Sequence, residues 1–142
     1  MLSTSCKYAL RACVFLAARS SGKSRYGIRE IAAEIEANEH TAGKILQQLV
    51  REGLIHSAKG PGGGFFMDAQ APVSLLRIVQ VVDGTELFTQ CGLGLKQCSE
   101  QRPCPIHDQY KEAREALLRQ FSTLTVQDLA ADYVQGKAFL KR

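Results

Sequence analysis

The sequence predicts a mainly α fold: a winged helix-turn-helix with a short β-hairpin wing and a long C-terminal dimerisation helix. Three observations predict it. Two short amphipathic segments, Ile28–Ile35 and Ala42–Val50, follow one another with a polar turn between them, the pattern of two helices packed at an angle. Directly after them, a Gly/Pro-rich turn separates two runs able to form strands, in "LIHSAKGPGGGFFM", which reads as a hairpin. Further on, apolar residues recur at helical spacing over residues 106–121, a stripe suited to packing on a partner.

Residues 2–20 form the first expected helix, with Tyr8, Leu10, Val14, Phe15 and Ala17 among its apolar positions and Gly22 as its breaker. In the second, Ile28, Ile31, Ala32 and Ile35 recur at i, i+3, i+4 and i+7, which places them on one face. Asn38 suits the N-cap of a third, because its side chain can accept from a free amide of the first turn. Ala42, Ile45, Leu46, Leu49 and Val50 make the inward stripe of that helix, and Gly53 stops it.

The outward residues of the third helix are Glu39, His40, Thr41, Gly43, Lys44, Gln47, Gln48 and Arg51. The second helix of a helix-turn-helix enters the major groove. His40, Thr41, Lys44 and Gln48 are therefore candidate DNA-binding residues, the first three standing closest to base edges. Gly43 costs roughly 1 kcal/mol relative to alanine inside a helix. Close approach to DNA and close approach to another helix both explain it.

In the hairpin, Lys59 supplies charge, and Gly60, Gly62 and Gly63 let the backbone come close to a phosphate or a minor groove. These four are candidate DNA contacts, and a merely flexible turn is the alternative. The turn is not a phosphate-binding loop, since no Gly-Lys-Ser/Thr follows it and no helix starts there. His56, in the strand before it, is either structural or a phosphate contact.

"PVSLLRIVQVVDG" gives another amphipathic helix, capped by Ser74 and ended by Gly84. The long helix is expected from Pro105 to Phe121, with Ile106, Tyr110, Ala113, Leu117 and Phe121 as its dimerisation stripe. Two-fold dimers suit helix-turn-helix proteins because they read paired half-sites. Thr125 caps a last short helix, with Asp128 at the capping-box position. The expected segments are 1–67 for the winged helix, 68–104 for a linking helix and cysteine loop, and 105–142 for the dimerisation and C-terminal helices.

Charge supports a polyanionic partner. The net charge is +4 over 142 residues; residues 1–66 carry nine Lys/Arg against five Asp/Glu, and residues 67–142 carry nine of each. The excess positive charge lies wholly in the half expected to meet DNA. No apolar run approaches the ~20 residues that span a bilayer, so no membrane partner is expected. The N-terminus has no clear signal-peptide cleavage site, which makes reducing cytoplasm the expected compartment. There, clustered cysteines suggest metal or redox chemistry before disulfides. Nothing points to an enzyme: the chain has no paired carboxylates in a motif, no activated nucleophile and no nucleotide loop. Four Tyr and six Phe also leave little for stacking on single strands.

"CGLGLKQCSEQRPCPIH" gathers Cys91, Cys98, Cys104 and His107 in the spacing C-x6-C-x5-C-x2-H. Pro105 suits the first position of the long helix with Cys104 at its cap, which would put Cys104 and His107 on one helical face. Gly92 and Gly94 allow the loop to fold back. By ligand type, three thiolates and an imidazole suit zinc or an iron–sulfur cluster equally. The wide spacing leans away from the paired C-x2-C of zinc sites, and unliganded thiols are the bland alternative.

With these motifs the chain resembles the winged-helix iron–sulfur regulators that include IscR and NsrR. "YALRA", "LVREGLIHSAKGPGGGFFM", "VVDG", the three cysteines and "TLTVQDL" carry the resemblance over nearly the whole sequence. It implies a homodimeric DNA-binding transcription regulator that senses iron–sulfur, redox or nitric oxide status, with double-stranded operator DNA and cluster-assembly proteins as partners. It further implies that Cys91, Cys98 and Cys104 are cluster thiolates and that His107 is the fourth ligand, as in the IscR-like branch with its 2Fe–2S cluster. A 4Fe–4S cluster or zinc is the alternative cofactor, and a zinc- or thiol-redox-responsive regulator without a cluster is the alternative function. In the nitric-oxide-sensing branch an acidic residue of the partner's first helix completes the cluster, and Lys7 stands at that position here. The first cysteine spacing is one residue longer than the family's usual five, and His40, Gly43 and Lys44 depart from the IscR-like pattern. Cys6 and Cys13 are expected in the core, with Cys6 the better candidate for a spare ligand to a partner subunit.

Overall fold

The computed structural model describes residues 1–20, 24–68 and 70–142. In chain order the elements are α1 (Thr4–Arg19), α2 (Ile28–Ile35), α3 (Glu39–Arg51), β1 (His56–Ala58), β2 (Gly64–Phe66), α4 (Leu75–Asp83), α5 (Glu86–Thr89), α6 (His107–Thr123) and α7 (Val126–Val134). The architecture is mainly helical with one small antiparallel hairpin, as predicted. The expected breaker Gly22 lies outside the described residues.

Side-chain caps set most of the helix starts. Ser3 accepts from the Cys6 amide, Asn38 from that of Thr41, and Ser74 from that of Arg77. Thr125 and Asp128 form a reciprocal box, the Thr125 amide donating to Asp128 Oδ2 at 2.9 Å and the Asp128 amide to Thr125 Oγ1 at 3.1 Å. Each satisfies an amide that the helix itself leaves free, worth about 1 kcal/mol.

β1 pairs with β2 in the register His56–Phe66, Ser57–Phe65 and Ala58–Gly64. Tyr26 adds a third short rung on the far side of β2, its amide donating to Phe65 O at 3.0 Å and its carbonyl accepting from the Phe65 amide at 2.7 Å. This anchors the hairpin to the segment entering α2. Gly64 makes that approach possible, since a Cβ there would lie 2.7 Å from Tyr26 O.

The main core is built around α1, whose Ala9, Ala12, Cys13 and Leu16 are fully buried among Ile31, Ile35, Leu46, Leu49, Ile55 and Ile78. Burying such side chains stabilises by roughly 1.5–3 kcal/mol each. Val50, expected in the stripe of α3, is only half-buried. α7 packs along α1, and a backbone bridge joins Ser74 to Thr125, so the chain's two ends share one core. The Tyr133 hydroxyl of α7 donates to Glu34 Oε1 of α2 at 2.7 Å. That hydrogen bond, helped by Lys141, holds the Glu34 carboxyl below the usual carboxylate range.

A second, smaller cluster joins Cys6 of α1, Val79 of α4 and Phe88 of α5, with Leu117, Leu118 and Phe121 of α6 packed on it. Phe88 and Phe121 meet edge to face at 5.9 Å. α6 begins two residues later than expected. Pro105 and Ile106 form a turn closed by the His107 amide donating to Cys104 O at 3.0 Å, and Ile106 is the N-cap. Cys104 is therefore neither the cap nor on the face of the helix that His107 opens.

Candidate functional site

α3 presents His40, Lys44, Gln47 and Arg51 to solvent, while Ala42, Ile45, Leu46 and Leu49 are buried beneath them. Ile28, Glu39, His40, Gly43, Lys44, Gln47, Gln48 and Arg51 line one shallow open depression. The amphipathic period that buries one face of α3 in the core exposes this cationic and amide-bearing one. Thr41 is half-buried, and its amide is used by the Asn38 cap at 2.7 Å. Gln48 is placed differently from its neighbours: its side-chain amide donates to Val81 O of α4 at 3.1 Å. Packing inside the chain does not require Gly43 to be glycine, because a Cβ there would sit 3.5 Å from Ile28 Cδ1, an ordinary contact.

Lys59, Gly60 and Gly62 are exposed at the hairpin tip. Gly60 and Gly62 adopt φ of +84° and +74°, and a Cβ at Gly63 would lie 2.3 Å from Ala58 O. The shape of the tip therefore depends on glycine, beyond any role in contacting a ligand. His56 is exposed on β1 with its ring 5.3 Å from that of Phe66.

The cysteine loop lies against the first half of α6. Gly92 packs flat on Tyr110, where a Cβ would come within 2.6 Å of the ring. Lys111 pairs with Glu100, holding the far arm of the loop to the helix. Within this frame the four predicted ligands stand as two pairs. Cys98 Sγ is 3.6 Å from His107 Nδ1, and Cys91 hydrogen-bonds Cys104. Among the described residues no three His, Cys, Asp or Glu side chains converge on one metal position.

The surroundings of the sulfurs are nonetheless suited to negative charge. The backbone amides of Leu93 and Leu95 point at Cys91 and, with Cys104 and Gly94, hold its thiol below the usual range. Arg114 Nη2 donates to Cys98 Sγ at 3.2 Å and Nη1 to Gln90 O at 2.5 Å. The amides aimed at Cys91 favour its thiolate, the form that ligates metal. The donor set of three soft sulfurs and one imidazole thus fits an iron–sulfur cluster or zinc in kind.

Arg114 is not among the residues that the sequence singles out on the long helix, where the apolar stripe carries the signal. Its position seven residues after His107 was the available signal, since two helical turns put both on one face, and both are buried.

Cys6 and Cys13 have the opposite setting. Both are fully buried in α1, and burial pushes each thiol up to about 12. Within the chain Cys6 faces Val79 and Phe88, so both cysteines lie in the core, as expected. Of the expected dimerisation stripe, Ile106 and Ala113 are exposed, Tyr110 covers Gly92, and Leu117 and Phe121 pack partly on the second cluster. An apolar groove remains open beside them, lined by Met1, Leu2, Lys7, Leu87, Leu117 and Phe121. Among the described residues no helix is long and apolar enough to cross a membrane.

Known proteins are similar to this chain in sequence and in fold. The chain is 28% identical over 138 residues to the helix-turn-helix-type transcriptional regulator NsrR of Geobacillus kaustophilus, covering 95% of this chain and 92% of that one. Among solved structures, CymR of B. subtilis, described as a global cysteine regulator, superposes with a TM-score of 0.73 at 22% identity, covering 92% of this chain and 96% of that one. IscR of T. potens superposes with the same score at 19% identity, covering 97% and 91%. The family model Rrf2, iron-dependent transcriptional regulator, matches residues 2–132. With a match of that extent, the chain belongs to the Rrf2 family of transcriptional regulators.

Proposed function

We propose that this transcriptional regulator acts as a homodimer on double-stranded operator DNA and senses iron–sulfur, redox or nitric oxide status through a 2Fe–2S cluster. Cys91, Cys98 and Cys104 would hold the cluster, with His107 as fourth ligand. The observation that carries the reading is the gathering of three cysteines on one loop beside the buried histidine that opens α6, with amides on Cys91 and a guanidinium on Cys98. When bound, such a cluster supplies reversible one-electron chemistry and reactivity towards nitric oxide and oxidants. The protein's own contribution is to hold the Cys91 thiol below its usual range, to reach Cys98 with a guanidinium and to fix the loop on α6 through Tyr110 and Lys111.

DNA would meet the exposed face of α3, through His40, Thr41 and Lys44, and the wing through Lys59, Gly60, Gly62 and Gly63. Gln48 would serve two ends, lying on the DNA-facing side while its amide holds α4. Phosphate contacts by Lys44 and Lys59 would give salt-dependent affinity. The open apolar groove beside Leu117 and Phe121 supports a second copy packing along α6, and the three segments 1–67, 68–104 and 105–142 would then divide the work between DNA, cluster and partner. Cytoplasm follows as the compartment, and cluster-assembly proteins as the source of the cluster.

The test is iron, sulfide and zinc analysis with an absorption spectrum on protein purified without oxygen, followed by operator binding with and without the cluster. About two irons and two sulfides per chain, and an affinity that changes on cluster loss, support the reading. Four irons, or zinc, displace the cofactor assignment. A second reading, a thiol-redox regulator without a cluster, is favoured by the hydrogen-bonded Cys91–Cys104 pair. Colourless protein that loses two thiols on oxidation, with both mapped to Cys91 and Cys104, would establish it instead.

A further inference from the structure

We infer that Arg114 is the positioning residue and counter-charge of the cysteine site, holding the Cys98 sulfur and the loop's entry with two arms and reserving a third donor for the bound group. The inference rests on the cluster reading above. Arg114 is 9% exposed, and it lies on α6 two turns beyond the buried His107. One terminal nitrogen donates to Gln90 O, at the loop's entry, and the other to Cys98 Sγ, in its middle. The ring of Tyr110 lies 5.7 Å from the guanidinium carbon. Its Nε is buried and has no hydrogen-bond partner among the described residues.

Two physical arguments follow from that placement. A guanidinium is a permanent positive charge, and burying one costs several kcal/mol unless negative charge faces it. No acidic side chain pairs with Arg114 among the described ion pairs. The acceptors at hand are one carbonyl and one sulfur, so the compensating charge must come from the cysteine site itself, as ligated thiolate. The orphaned Nε–H makes the same point independently, because a buried donor without an acceptor is destabilising. A sulfur of a bound cluster would supply the acceptor that the described residues do not. Hydrogen bonds to cluster sulfurs and nearby positive charge both raise reduction potential, so Arg114 biases the cluster towards its reduced form.

The full-length chain, purified and reconstituted without oxygen, is compared as wild type, Arg114→Gln, Arg114→Lys and Arg119→Gln, by potentiometric titration with dithionite and by visible absorption. Arg114→Gln should shift the midpoint potential to more negative values. Arg114→Lys, which keeps the charge and loses the fork, should restore most of the potential while its sulfur-to-iron absorption bands move. Arg119→Gln, which removes a charge from the exposed face of α6, should leave the potential near that of wild type. If Arg114→Gln proves unfolded by circular dichroism, the bands of Arg114→Lys carry the test. Unmoved potential in Arg114→Gln, or unmoved bands in Arg114→Lys, overturns the inference while a loaded wild type leaves the cluster reading standing. Wild type that takes up no iron or sulfide overturns both.

Discussion

The cysteines of α1 and those of the loop are the same residue in opposite environments. Cys6 and Cys13 sit at buried helical positions, Cys6 beside Asp83 and otherwise among apolar side chains, and burial keeps their protons on. Cys91 and Cys98 sit where a short loop turns its amides inward and an arginine reaches across. A thiol is therefore structural or reactive according to the donors around it, and a count of cysteines says nothing about which. In this chain regular secondary structure removes the donors, since helical amides are already spent on carbonyls. The loop leaves them free to serve sulfur.

The largest break in that comparison comes from exchanging sulfur for other atoms in each set. Cys104→Ala should abolish cluster loading, read as lost visible absorption and bound iron, while the unfolding midpoint of the cluster-free protein stays near that of wild type. Cys13→Ser should do the reverse. It buries a hydroxyl with no partner and should cost roughly 1–3 kcal/mol by denaturant unfolding, with iron per folded chain unchanged. A Cys13→Ser variant that folds normally and loses its iron would remove the distinction.

A smaller effect comes from pH. The unfolded thiols titrate near 9.0, whereas folded Cys6 and Cys13 hold their protons up to about 12. Between those limits the unfolded chain binds fewer protons than the folded one, so stability falls as pH rises. Below pH 9 both states are protonated and this contribution is fully present. Urea midpoints measured from pH 8 to 11 should decline, and Cys6→Ala should flatten part of the decline. Thiol alkylation at pH 7.5 on cluster-free protein sharpens the point: Cys91, Cys98 and Cys104 should react while the protein is folded, and Cys6 and Cys13 only after unfolding.

The smallest effect concerns the end of α1 that brings Cys6 to the second cluster. The Ser3 amide and hydroxyl donate to Asp83, and Ser3 Oγ accepts from the Cys6 amide. Ser3→Ala should cost about 1 kcal/mol, the usual value of an N-cap, measured by thermal or urea unfolding. Cys6 should become more open to alkylation as that turn frays.

Most of the fold was legible because its signals are local. Asn38, Ser74 and Thr125 act within three residues of themselves, and the stripes of α2 and α3 repeat within two turns. What escaped depends on distant partners. α5 is one turn whose existence follows from Phe88 meeting Phe121. The Tyr26 rung needs β2, nearly 40 residues away, to give it meaning. The start of α6 was misplaced because Pro105 suits a first helical turn by propensity, whereas the closing bond from His107 to Cys104 makes a separate turn there. At the cysteine site, spacing identified the donors, but it could not separate the buried Arg114 from the solvated charges beside it. Only the packing of the loop on α6 does that.

The bond from Gln48 to Val81 has a mechanical consequence. α4 is nine residues long, a strut of about 13 Å at 1.5 Å per residue, and its amide contact with α3 falls two residues before the joint of Asp83 with Ser3. The cysteine loop leaves from that same end through α5. A shift of the loop's root is therefore applied almost at the point where α3 is gripped, with little length over which it could be absorbed. In the proposed regulator the strut would work as a short-armed crank, passing a displacement at the sulfur end to the helix with the exposed cationic face.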